Sequence, residues 1–109
     1  MAPFAPEAWA EYVRCFTPEA IHASCEDYRA AAGIDLEHDR ADRDAGRKLA
    51  CPLLALWGAH GVVERCFKPL ADWGRVASDV RGRALPAGHY LPEEVPDLVA
   101  AEFESFFGV

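Results

Sequence analysis

Apolar residues recur at helical spacing in the first third of the chain and form continuous runs in the second half, so the two halves predict different architectures. Trp9, Tyr12, Val13 and Phe16 lie near the helical period and predict a helix over residues 6–15. Thr17-Pro18 then supplies an N-cap and a proline at the first helical position, opening a second helix that runs to about Ala32. Gly33 is the expected C′ residue of that helix. Ile21, Cys25, Tyr28 and Ala32 are spaced +4, +3, +4 and share one apolar face, with Glu19, Glu26 and Arg29 turned elsewhere. Residues 35–48 are dense in charge around Leu36, Ala41 and Ala45, which predicts a solvated helix or connector with little core contact.

The texture changes after Cys51-Pro52. Leu53-Leu54-Ala55-Leu56-Trp57-Gly58 is a continuous apolar run closed by glycine, the pattern of a strand covered on both faces. Residues 69–77 predict a helix weakened by Gly74. Val80 to Leu85 is a second strand. Residues 92–107 predict one closing helix, opened by Pro92, with Glu93 and Glu94 against its N-terminal dipole and Val95, Leu98, Val99, Phe103 and Phe106 as its buried stripe. Strand–helix–strand–helix implies a parallel sheet and an α/β class. Two units are expected, residues 1–48 and residues 49–109. Two parallel strands alone leave apolar faces and open edges, so the sheet is expected to be incomplete.

The chain has 109 residues, 51% of them hydrophobic and 27% charged, which is enough apolar content for a folded core. A formal net charge of −7 with no Lys/Arg cluster argues against binding to phosphate backbones, so no nucleic-acid partner is expected. The cysteines at 15, 25, 51 and 66 form no C-x-x-C pair, which fits reduced thiols and a cytoplasmic protein. There is no apolar run of membrane-spanning length and no signal-peptide pattern, so no membrane partner is expected. His22 and Cys25 stand at i, i+3, but further ligands for a metal are missing. The acidic run from Asp35 to Asp44 lacks the spacing and turn glycine of a calcium loop. Neither a metal nor a cofactor is expected.

The candidate chemistry lies in Gly88-His89-Tyr90-Leu91-Pro92-Glu93-Glu94, between the second strand and the closing helix. In open α/β sheets, reactive side chains gather at the C-terminal ends of strands. An imidazole there titrates near neutral pH and accepts a proton from water or a hydroxyl. His89 is therefore the expected general base. The chain offers no evident nucleophile for it.

These motifs resemble the α/β-hydrolases, which end with a last strand, a catalytic histidine on the following loop and a closing helix. The similarity is strongest to the haloacetate (fluoroacetate) dehalogenase branch. Ile21-His22-Ala23-Ser24-Cys25-Glu26-Asp27-Tyr28-Arg29-Ala30 resembles the end of that branch's helical cap. Residues 51–58 resemble its penultimate strand, and residues 79–94 its final strand and histidine loop. The resemblance covers roughly residues 7–107. It implies the C-terminal part of an α/β-hydrolase fold, with residues 1–48 ending the cap and residues 49–109 closing the core.

What the resemblance implies chemically is a two-step displacement on a short 2-haloacid. An aspartate carboxylate displaces the halide and forms an ester. Water activated by His89 then hydrolyses the ester. Tyr28 matches the cap tyrosine that contacts the departing halide. Its place on the apolar helix face fits that role, because a buried hydroxyl needs a partner. Three departures are visible. Gly33-Ile34-Asp35 is no nucleophile elbow, since Leu36 and Glu37 follow it with no second glycine. The branch's halide-binding His–Trp pair is absent. The loop Ala59-His60-Gly61-Val62-Val63, where many α/β-hydrolases place the acid, carries no carboxylate before Glu64; in the dehalogenase branch the acid follows an earlier strand, and that strand is missing here. The 109-residue chain is therefore expected to be inactive by itself. Three readings remain open: a dehalogenase part, a part of another α/β-hydrolase such as an epoxide or ester hydrolase, and a non-enzymatic remnant that self-associates through its open strand edge.

Overall fold

The computed structural model describes residues 3–108. It separates into a helical unit, Phe4–Arg47, and a second unit that begins at Lys48.

The helical unit consists of α1 (Pro6–Cys15), α2 (Pro18–Ala31) and α3 (Ile34–Asp44). Proline stands at the start of α1 and of α2, where its missing N–H costs no intrahelical bond. Thr17 caps α2 by accepting the Ala20 N–H at 3.2 Å. Phe4 packs against Trp9 and Tyr12 with ring centroids 5.7 Å apart in both pairs. The expected glycine stop after α2 takes a different form. Gly33 has φ −132°, outside the left-handed region, and the chain passes directly into α3. The charged segment of residues 35–48 is thus mostly a regular helix, and it is exposed throughout.

None of these three helices buries a residue. The shared face of Ile21, Cys25, Tyr28 and Ala32 exists as a pattern, yet all four side chains are exposed, and Tyr28 is 80% exposed. Periodicity shows that a face is apolar, whereas burial needs a surface to cover it.

The second unit holds β1 (Leu53–Gly58), α4 (Val62–Cys66), α5 (Pro69–Trp73), β2 (Val80–Leu85), α6 (Leu91–Glu94) and α7 (Pro96–Phe107). The strands pair in parallel, with register from Leu53↔Val80 to Gly58↔Leu85. An isolated parallel bridge joins Leu49 to Ala77 ahead of the ladder. Gly82 permits this pairing, since a Cβ at its φ of +148° would stand 1.8 Å from the Ala55 carbonyl oxygen. The core is small: Ala77, Leu85, Ala87 and Val99.

Four expectations change here, and the first is that the helix expected over residues 69–77 ends at Trp73, with Gly74 as its C-cap. Leu53 to Trp57 are only half-buried, because two strands cannot cover both faces of β1. The closing helix is two helices, since Pro96 lacks an N–H and crowds the turn before it. Val95, the residue before that proline, leaves the helical region at φ −140°, ψ 55°. Of the expected stripe, Val99 alone is buried; Val95 and Phe106 are half-buried, and Leu98 and Phe103 are exposed.

Candidate active site

The carboxyl ends of β1 and β2 lie side by side, and the loops leaving them are bonded to each other. Ala59 N–H donates to the Leu85 carbonyl at 2.8 Å, and His60 N–H donates to the Ala87 carbonyl at 3.0 Å. Leu85 and Ala87, at 0% and 2% exposure, anchor the base of the second loop in the core. Gly58 makes the closest approach. A Cβ there would fall 1.7 Å from the Gly88 carbonyl oxygen and 2.5 Å from that of Ala87, so no larger residue fits without moving backbone.

His89 follows Gly88 on this loop and is exposed. It lines a cleft of about 360 Å³ with Leu54, Leu56, Leu91, Pro92, Val99 and Phe103. Apart from the imidazole, these described lining residues are apolar. Its ring meets Tyr90 edge-on, with centroids 5.2 Å apart at 77°. A short loop at the carboxyl end of β2 thus brings a proton acceptor into the lining of an apolar recess.

Glu94, at the end of α6, holds the loop in place. Its Oε2 accepts the Gly88 N–H at 2.6 Å and its Oε1 accepts the Tyr90 N–H at 2.9 Å. The bond from Gly88 is the main reason the Glu94 carboxyl sits below its usual range. The bond from Tyr90 adds to this, as does the positive charge that His60 and His89 can carry, while partial burial opposes it. Glu94 thus does more than complement the helix dipole, the role its position in sequence predicts. The available signal was a carboxylate six residues after the Gly88 turn, on a helix that Pro96 forces to be short.

Glu64 is the first carboxylate after β1, and it accepts the Trp57 indole N–H at 2.5 Å. Tyr28 belongs to the helical unit and is 80% exposed on α2. Its hydroxyl, expected on a buried face, is thus open to solvent and does not need an internal partner. Among the described residues, no group of three or more His, Cys, Asp or Glu side chains is arranged to hold a metal ion. Nor is any helix among them long and apolar enough to cross a membrane.

No family model matches the chain. It is 36% identical over 104 residues to a fluoroacetate dehalogenase from Burkholderia sp, covering 94% of this chain and 34% of that protein. It is 34% identical over 106 residues to a soluble epoxide hydrolase from Corynebacterium sp. (strain C12), covering 95% of this chain and 35% of that protein. The chain therefore spans about a third of the length of the curated relatives it matches. Among solved structures, a Nostoc sp PCC 7120 protein assigned as an alpha/beta hydrolase superposes with a TM-score of 0.88 at 50% identity. That match covers 98% of this chain and 36% of the other. A Salmonella enterica protein assigned as an acyltransferase superposes with a TM-score of 0.86 at 44% identity, covering 97% and 35%. These relatives span several activities, so the likeness extends beyond the dehalogenase branch alone. What they share with this chain is one architecture: the chain has the C-terminal part of an α/β-hydrolase fold.

Proposed function

We propose that this chain supplies the general base of a hydrolase and that the bond hydrolysed is the ester an active-site aspartate forms when it displaces the halide of a short 2-haloacid. The observation that carries the reading is the placement of His89, exposed and lining an apolar cleft on the loop after β2. Similarity to fluoroacetate dehalogenase supports the substrate class.

The chemistry has two steps. An aspartate carboxylate attacks the carbon bearing the halogen, the halide leaves with the bonding pair, and an ester forms. His89 takes a proton from water as the oxygen of that water adds to the ester carbonyl. Collapse of the adduct releases the 2-hydroxyacid and restores the carboxylate. Leu54, Leu56, Leu91 and Phe103 give the cleft its apolar lining. The nucleophile has no counterpart at Asp35, which lies in the first turn of α3. Tyr28 is the proposed halide contact. Its exposure on α2 leaves the hydroxyl available to an anion.

A second reading, epoxide hydrolysis, rests on the near-equal similarity to the Corynebacterium epoxide hydrolase. It uses the same base and the same ester step and differs in the electrophile. Self-association through the open strand edges is the non-enzymatic alternative, suggested by the two-stranded sheet.

The deciding experiment replaces the corresponding C-terminal third of a haloacetate-hydrolysing relative with this chain. Fluoroacetate, chloroacetate and a simple epoxide are then offered to the hybrid. Halide release that depends on His89 supports the first reading, and diol formation without halide release supports the second. The isolated chain is expected to release no halide.

A further inference from the structure

We propose that Glu94 is the positioning residue of His89: its two carboxylate oxygens take the backbone N–H groups on either side of the histidine and so fix the direction in which the imidazole leaves the chain. The proposal rests on the reading of His89 as a base, but its evidence is independent of turnover.

The geometry is bidentate and local. Gly88 N–H donates to Oε2 at 2.6 Å and Tyr90 N–H donates to Oε1 at 2.9 Å, with His89 between them. A backbone held by one bond can still rotate about that bond; held on both sides of a residue, it cannot. Charge-assisted bonds of this kind are stronger than bonds between neutral groups. The fit is close, since a Cβ on Gly88 would stand 3.1 Å from Oε1 and 3.3 Å from Oε2. Glycine at 88 therefore leaves room for the carboxylate as well as for the turn. Glu94 is the last residue of α6, immediately before the break at Val95 that Pro96 imposes, so its backbone is set by that short helix.

The titratable groups of the elements meeting here are His60 after β1, His89 and Tyr90 after β2, Glu93 on α6 and Asp97 at the start of α7. Of these, His60 and His89 act electrostatically on Glu94. The backbone N–H of His60 donates to the Ala87 carbonyl, so the loop after β1 is bonded to the histidine loop that Glu94 holds.

The test uses the 109-residue chain and reads amide hydrogen exchange and nuclear magnetic resonance at Gly88, His89 and Tyr90. In the unmutated chain, the Gly88 and Tyr90 amide signals are expected to move together as pH falls and Glu94 takes a proton. The His89 ring signals are expected to show the same inflection. In Glu94→Ala both amides are expected to exchange at least about tenfold faster, while amides of the β1–β2 ladder keep their rates. In Glu94→Gln, which keeps one oxygen acceptor, one of the two amides is expected to stay protected. Two results overturn the proposal: unchanged exchange at Gly88 and Tyr90 in Glu94→Ala, or acceleration spread equally over the ladder. If Glu94→Ala fails to fold, the unmutated titration decides, and independent or absent movement of the two amides counts against the proposal. A failure of the hydrolase reading would appear as missing turnover with these amide signatures intact.

Discussion

Glu94 and Gly88 are joined across six residues by a 2.6 Å bond from the Gly88 N–H to the Glu94 carboxylate, and that bond closes the turn carrying His89. It also makes the loop sensitive to acid. The folded chain holds the Glu94 carboxyl below its ordinary value of 4.5, mainly through the Gly88 N–H. A carboxyl depressed by folding stabilises the folded state above its unfolded pKa, and that contribution is lost as pH falls through the folded value. The stability difference between the unmutated chain and Glu94→Gln should therefore be full at neutral pH and shrink only below about 4.5. Urea midpoints from pH 7 to pH 3 check this. A difference that is constant over that range would contradict it.

Gly58→Ala should be severely disruptive. Its Cβ would stand 1.7 Å and 2.5 Å from two carbonyl oxygens of the histidine loop, and both oxygens belong to backbone. Overpacking of this kind costs about 1–3 kcal/mol or more. Gly61→Ala is the matched control, with nearest contacts of 3.3 Å and 3.4 Å, and should cost far less. Chemical denaturation of the two variants provides the comparison.

The elements that sequence predicts well are those whose signals are local. The spacing of Trp9, Tyr12, Val13 and Phe16, the Thr17-Pro18 start and the runs at 53–58 and 80–85 place α1, α2, β1 and β2. The parallel pairing follows from their order. Local signals exist for two further elements: Pro96 splits the closing helix, and Gly61 precedes α4. Burial was less legible. An apolar stripe such as Ile21, Cys25 and Tyr28 shows only which face is available, and no described residue of that unit's helices is buried. In the site, His89 was legible because its loop is contiguous in sequence. The contact between Gly58 and the Gly88 carbonyl was not, because it joins residues thirty positions apart through backbone atoms that carry no residue identity.

Leu85→Ala should cost about 2–5 kcal/mol, the range for truncating a fully buried leucine. Leu85 also lies at the foot of the histidine loop, where its carbonyl accepts the Ala59 N–H. Its loss should therefore loosen the Gly88 and Tyr90 amides together with the core. A urea titration read alongside amide exchange checks both effects.

Thr17→Ala should weaken α2 by about 1 kcal/mol through loss of its N-cap. With no described residue of α2 buried, tertiary packing offers little compensation. The expected readout is lower helicity by circular dichroism and faster exchange at the Ala20 amide.

If the His89 imidazole activates the water that hydrolyses an aspartyl ester, removing it must stop turnover with the ester in place. The most direct measurement is halide release, in a single experiment with excess fluoroacetate, by the hybrid enzyme carrying this chain as its C-terminal third, with and without His89→Asn. The account predicts sustained release from the unmutated hybrid. From His89→Asn it predicts a burst of about one halide per active site, followed by arrest with the ester still attached to the protein. Sustained release by His89→Asn at the unmutated rate would contradict it.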